Sequence, residues 1–213
     1  QASISNLTNP QAPSENKSVE SFIQTMHQSS TLWRLSHIPV ILTMLCLLWQ
    51  EAQELPKTLT EIYKEAMHYF TQRWLEKSES WCDHDDDTSE SEESSILTGL
   101  GQAAFLGLLE DRLFFTEKEF KSSVNVLEKA CLIGIVEQER KRSRLHVVKQ
   151  FTFYHKTFQE YAAALYWASL VDPSLDEFER YLSHIESSNV ESFEYVLLFC
   201  CGLSARACDM IIS

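Results

Sequence analysis

A histidine placed between strand-favouring residues and a helix start is well sited to meet an anion, and His155 in the stretch 150–170, QFTFYHKTFQEYAAALYWASL, is such a residue. Phe151 and Phe153 favour a strand, and Thr157 with Glu160 three positions on has the spacing of a capping box that leads a helix. A helix N-terminus offers free N–H groups and the positive end of the dipole, so an imidazole just before it is placed to join them around a phosphate. The same residue types equally suit a half-buried histidine that only orients the turn, and local chemistry leaves both readings open.

Further chemistry is hard to assemble. The chain contains no Gly-x-x-x-x-Gly-Lys-Ser/Thr, Gly-x-Ser-x-Gly, His-Glu-x-x-His or Cys-x-x-Cys, and its seven histidines are scattered without partners at motif spacing. Autonomous catalysis is therefore not expected. Gly99-Leu-Gly101 is no phosphate loop, since no Gly-Lys-Ser/Thr follows and no strand precedes it. Cys82-Asp83-His84 lacks the second cluster that a tetrahedral metal site needs. Six cysteines without a framework spacing read as reduced thiols, which points to the cytosol. Cys200-Cys201, in an apolar run, reads as core.

The net charge of −13 is concentrated, because seven acidic residues fall within 83–93. Nucleic acid is an unfavoured partner, since phosphates require clustered Lys and Arg; Arg140-Lys141-Arg142 is the one basic run and reads as a hairpin turn. No signal peptide opens the chain, and its most hydrophobic stretch, 38–49, is too short to span a bilayer. The start, with neither an initiator Met nor an evident domain beginning, suggests a piece of a longer protein.

The elements that must carry these residues follow from periodicity. Residues 1–17 read as linker, with a short helix over 18–28. Pro39, suited to a first turn, opens a helix to 50 that is apolar on nearly every side. Thr58 with Glu61 has capping-box spacing ahead of a helix to 77, and 78–95, acidic and Ser-rich, reads as a solvated loop. Helices are expected over 96–109, 116–121 and 124–132, ending near Gly134. Strands at 133–137 and 145–154 then flank a basic turn at 140–144. Three helices and a hairpin make a winged-helix pattern. Helices over 175–185, 190–203 and from 205 complete a mainly α chain: a helical bundle, a winged-helix domain with a small β-hairpin, then further helices.

Three segments together resemble the NACHT-type NOD-like receptors, switches of the signal-transducing ATPase class: Ile38-Pro39 running to Cys46-Leu47-Leu48-Trp49, then Leu55-Pro56-Lys57-Thr58-Leu59-Thr60-Glu61-Ile62-Tyr63, then Phe153-Tyr154-His155-Lys156-Thr157-Phe158-Gln159-Glu160-Tyr161. The resemblance covers about residues 19–205. It implies helical domain 1 over 18–77, the acidic loop, a winged-helix domain over 96–171 and the start of helical domain 2 over 172–213. It further implies that His155 contacts the β-phosphate of ADP and that Pro39 lies near the adenine. The ADP/ATP and Mg²⁺ machinery is expected in an upstream nucleotide-binding domain of the same chain, with sensing repeats downstream and a homo-oligomer on activation. The fragment alone is expected to bind nucleotide feebly and hydrolyse none. The alternative is a stand-alone helical and winged-helix interaction module that uses apolar faces around Trp49 or Trp74; a third reading is a winged-helix DNA binder.

Overall fold

A computed structural model describes residues 12–77, 86–120, 124–142, 147–187 and 190–213. The chain is mainly α with a small antiparallel sheet, and it divides into two compact units at Thr58/Leu59.

The first unit holds α1 (Ala12–Gln28), α2 (Ser30–Leu35) and α3 (Pro39–Ala52). Residues 12–17, expected as linker, already belong to α1. Pro13 sits in its first turn, where a missing N–H costs nothing, and once a helix is nucleated each added residue gains a hydrogen bond. The Ser29 hydroxyl caps α2 by accepting from Leu32 N–H at 3.2 Å. α3 begins at Pro39 as its fixed φ dictates. It is less uniformly buried than its composition suggests: Ile41, Met44, Leu45, Leu48 and Trp49 are buried, whereas Leu42 and Cys46 are exposed. Trp49, offered by the sequence as a docking face, is buried and lies 5.6 Å from the Phe22 ring.

The second unit starts with α4 (Leu59–Lys77) and α5 (Asp86–Leu109). The expectation of a loop over 78–95 is corrected from Asp86 onward; residues 78–85, with Cys82 and His84, lie outside the described residues. No Gly or Pro interrupts 86–98, so a helix anchored by buried Ile96, Leu97 and Leu100 propagates backward, into a stretch whose acidic residue types suit a helix N-terminus.

After α5 come β1 (Phe114–Phe115), a 3₁₀ turn at Glu117–Glu119, α6 (Val124–Ile133), β2 (Val136–Arg142) and β3 (Val147–Phe153). α6 stops where Gly134 takes φ +86°, with Ile135 N–H returning to the Ala130 carbonyl, the paired closure of a Schellman turn. The sheet order is β1-β3-β2, all antiparallel, with Val136 opposite Phe153 and Arg142 opposite Val147. Phe115, Val136, Phe151 and Phe153 are buried. Arg140, Lys141 and Arg142 therefore lie in an edge strand and not in the expected turn. Lys141 Nζ sits 4.5 Å over the Phe114 ring, and charged residues along an edge discourage pairing with another chain.

α7 (Lys156–Ser169), α8 (Leu175–Ser187), a 3₁₀ turn at Val190–Phe193, α9 (Glu194–Leu203) and α10 (Ala205–Ile211) complete the unit. α5 and α7 form its central pair. Small residues allow them to approach closely: Ala103, Ala104, Ala162, Ala163 and Ala164 are all buried, and a Cβ built on Gly101 would lie 2.9 Å from the Ala162 carbonyl oxygen and 2.8 Å from Tyr166 Cβ. Gly101→Ala should therefore destabilise the unit by roughly 1–2 kcal/mol, although alanine is the better helix former by about 1 kcal/mol. Urea unfolding reads this directly, and a stabilised variant would refute so close a crossing.

Candidate functional site

The end of β3 and the start of α7 place His155. Phe153 pairs with Val136, and the ladder is extended by Tyr154 N–H donating to the Ile135 carbonyl at 2.9 Å, so the chain is fixed up to the residue before the histidine. His155 then takes extended torsions, φ −144° and ψ 146°, and is itself the N-cap of α7, its carbonyl accepting from Phe158 N–H at 3.0 Å. Its Nδ1 accepts from Thr157 N–H at 3.3 Å and lies 2.8 Å from Thr157 Oγ1. A backbone N–H can only donate, so this contact assigns Nδ1 as the acceptor and places the ring hydrogen on Nε2. An acceptor nitrogen also suits the positive end of the helix dipole.

The capping box expected of Thr157 and Glu160 does not form. The helix begins two residues earlier than that spacing requires, leaving Thr157 inside the first turn, 5% exposed, where its hydroxyl accepts from the Tyr63 phenol. Tyr63, on α4, is fully buried among the rings of Phe158, Tyr161 and Phe199, with centroids at 5.7, 5.4 and 4.8 Å. Burial pushes its phenol well above the usual range. Glu160 is 3% exposed; its Oε1 lies 3.6 Å from Lys156 Nζ and its Oε2 meets no hydrogen-bond partner. Burial, with a smaller contribution from Glu194, pushes its carboxyl up to about 7 against the opposing pull of Lys156.

The neighbouring Gln159 is a structural clamp. Only 1% exposed, it donates from Nε2 to the carbonyls of Ala104 and Arg112, both at 3.2 Å, tying α7 to α5 and to the approach to β1. Around that approach the sequence reading missed a true capping box. Glu119 Oε2 accepts from Thr116 N–H at 2.6 Å, and Arg112 bridges Glu119 and Glu110. The Thr-x-x-Glu spacing at 116–119 was its visible signal.

Pro39 is the exposed first residue of α3 and belongs to the first unit, whereas His155 belongs to the second. A separate groove of about 730 Å³ lies between α4, α5, α7 and α9, lined in part by Glu61, Lys64, His68, Glu93 and Tyr161. His68 Nδ1 and Glu93 Oε2 stand 3.8 Å apart across it. Neither His155 nor Pro39 lines this groove. Cys200 is buried, in keeping with a core role. Among the described residues, no group of three or more His, Cys, Asp or Glu is arranged to hold a metal ion, and no helix is long and apolar enough to cross a membrane. No family model matches the chain, and no curated protein aligns with it.

Proposed function

We propose that this chain is the regulatory helical part of a NACHT-type NOD-like receptor, which closes over ADP held by an upstream nucleotide-binding domain and keeps a cytoplasmic receptor inactive. Ligand sensing and exchange of ADP for ATP would release it to oligomerise. The observation that supports this reading best is the state of His155. Its Nδ1 is engaged within the helix cap, so the Nε2–H of a partly exposed ring is left to donate at the start of a 14-residue helix. A donor at the positive end of a helix dipole is chemistry that a terminal phosphate takes up. Pro39, exposed at the rigid start of α3, offers a flat apolar ring of the kind that packs on a base. The chain has no phosphate-binding loop of its own, so Mg²⁺ binding and hydrolysis fall to the upstream domain in this reading.

The test uses this chain joined to the nucleotide-binding domain it is expected to follow. His155→Leu should weaken ADP retention by about tenfold or more, the worth of one hydrogen bond to a charged group, and raise basal assembly. His155→Asn keeps a capping side chain but falls short of the phosphate, so it separates loss of the contact from loss of the cap. Unchanged ADP retention together with unchanged assembly in both variants counts decisively against the reading.

A further inference from the structure

We infer that Tyr63 and Thr157 are positioning residues for His155: together they fix which imidazole nitrogen carries the proton, and so α4 determines what the start of α7 presents outward. Taken from the Thr157 N–H contact on Nδ1, the donors and acceptors run in one direction. Nδ1 receives the Thr157 backbone N–H and therefore has no hydrogen of its own to give. The 2.8 Å contact between Nδ1 and Thr157 Oγ1 must then use the single hydroxyl hydrogen of Thr157, donated to the ring. With that hydrogen committed, Oγ1 can only accept from the Tyr63 phenol. The chain of donation runs Tyr63 to Thr157 to His155, a partly exposed residue, and Nε2–H is its far end.

Tyr63 can anchor such a chain because it cannot turn away. It is fully buried, and its ring is walled by Phe158 and Tyr161 of α7 and Phe199 of α9. Ionisation of the phenol, which would abolish the donor, is opposed by the same burial. Glu160 of α7 acts electrostatically on the Tyr63 phenol, and Lys156 of α7 and Glu194 of α9 act in turn on Glu160. Lys156 and Glu160 face one another. Residue 63 closes the second segment of the sequence resemblance and residue 157 lies in the third, so two stretches 94 residues apart are joined by one buried hydrogen bond.

The functional meaning of this assignment rests on the ADP reading, but the tautomer itself does not, and it is measured without nucleotide. Long-range ¹H–¹⁵N spectra of the 213-residue chain at pH 8, with the His155 signals identified by their loss in His155→Asn, report the hydrogen on each ring nitrogen. The native ring should be Nε2–H. Thr157→Val, close to isosteric, should lower the ratio of Nε2–H to Nδ1–H about fivefold, the weight of one hydrogen bond of ordinary strength. Thr157→Ser should restore the ratio, and Tyr63→Phe should lower it by a smaller factor. A native ring carrying its hydrogen on Nδ1, or an unchanged ratio in Thr157→Val, overturns the assignment. If Thr157→Val does not fold, Tyr63→Phe decides, and an unchanged ratio there removes α4 from the arrangement. Normal tautomer behaviour with unaltered ADP retention in the receptor variants would sink the nucleotide reading alone.

Discussion

Trp167→Ala lowers the unfolding free energy of the second unit by roughly 3–5 kcal/mol, the range for deleting a fully buried aromatic side chain. Trp167 has no exposed surface. Its indole stacks on Phe178 of α8 with centroids 4.8 Å apart and planes at 18°, and Phe105 of α5 lies 5.7 Å away. The indole N–H donates to the Phe178 carbonyl at 3.4 Å. Alanine removes the wall between three helices, so a transfer cost and a cavity cost combine, with the loss of the indole hydrogen bond a smaller addition because the Phe178 carbonyl lies within α8. Trp167→Phe keeps most of the stack and loses the hydrogen bond; a penalty of about 1–2 kcal/mol is expected. Urea midpoints measure both, and a loss below about 1 kcal/mol for the alanine variant would mean that this wall does not carry the packing.

Glu160→Gln raises stability, and the gain depends on pH. The buried carboxyl is pushed up to about 7 in the fold, chiefly by burial, while in the unfolded chain it ionises near its ordinary value. Below the unfolded value both states hold the proton and Glu160 costs nothing. Between the two values the fold retains a proton that the unfolded chain has released, so native stability declines as pH rises, and the decline is complete once pH has passed the folded value. Glutamine has no charge to bury. The variant should be more stable than the native chain by roughly 2–3 kcal/mol at pH 8 and by about 1 kcal/mol or less at pH 5. The exposed Lys156 loses its facing carboxylate, but a pair with one solvated member is worth little. Denaturant curves at the two pH values suffice: a gain that does not change with pH, or a loss at pH 8, rules out a buried ionised Glu160 as the source.

Local rules were enough wherever one residue dictated a backbone angle. Pro39 starts α3 and Gly134 ends α6 because proline fixes φ and glycine alone takes a positive φ cheaply. Composition misled where it stood in for geometry. Basic residues 140–142 looked like a turn, yet they alternate along an edge strand whose register is set by Val136 and Phe153. The acidic, Ser-rich residues before Ile96 looked like loop, yet a buried helix beyond them extends through them. At the candidate site, the sequence placed a histidine at a helix start but not its partners. Thr157 and Glu160 fit a capping box by spacing, and the preference was overruled by Tyr63, a tertiary neighbour that no local window contains. Gly101 was likewise visible only as a weak helix former, because its reason is the carbonyl of Ala162 on another helix.

Gly202 of α9 is so close to Thr60 of α4 that an added Cβ would fall 2.1 Å from the threonine hydroxyl oxygen, and the rings of Tyr63 and Phe199 meet in the same place. The first helix of the second unit thus rests on its second-to-last. On a ribosome α4 is made early, and the part of its apolar face that meets α9 must wait until more than a hundred further residues have emerged. Closing so long a loop is entropically costly, and contacts of such sequence separation are the slow ones to form. The α5–α7 pair can close first, since it needs only the sheet segment between them. A chain stalled before α9 would carry Tyr63, Thr157 and His155 but lack the Phe199 ring that helps to hold the Tyr63 phenol in place.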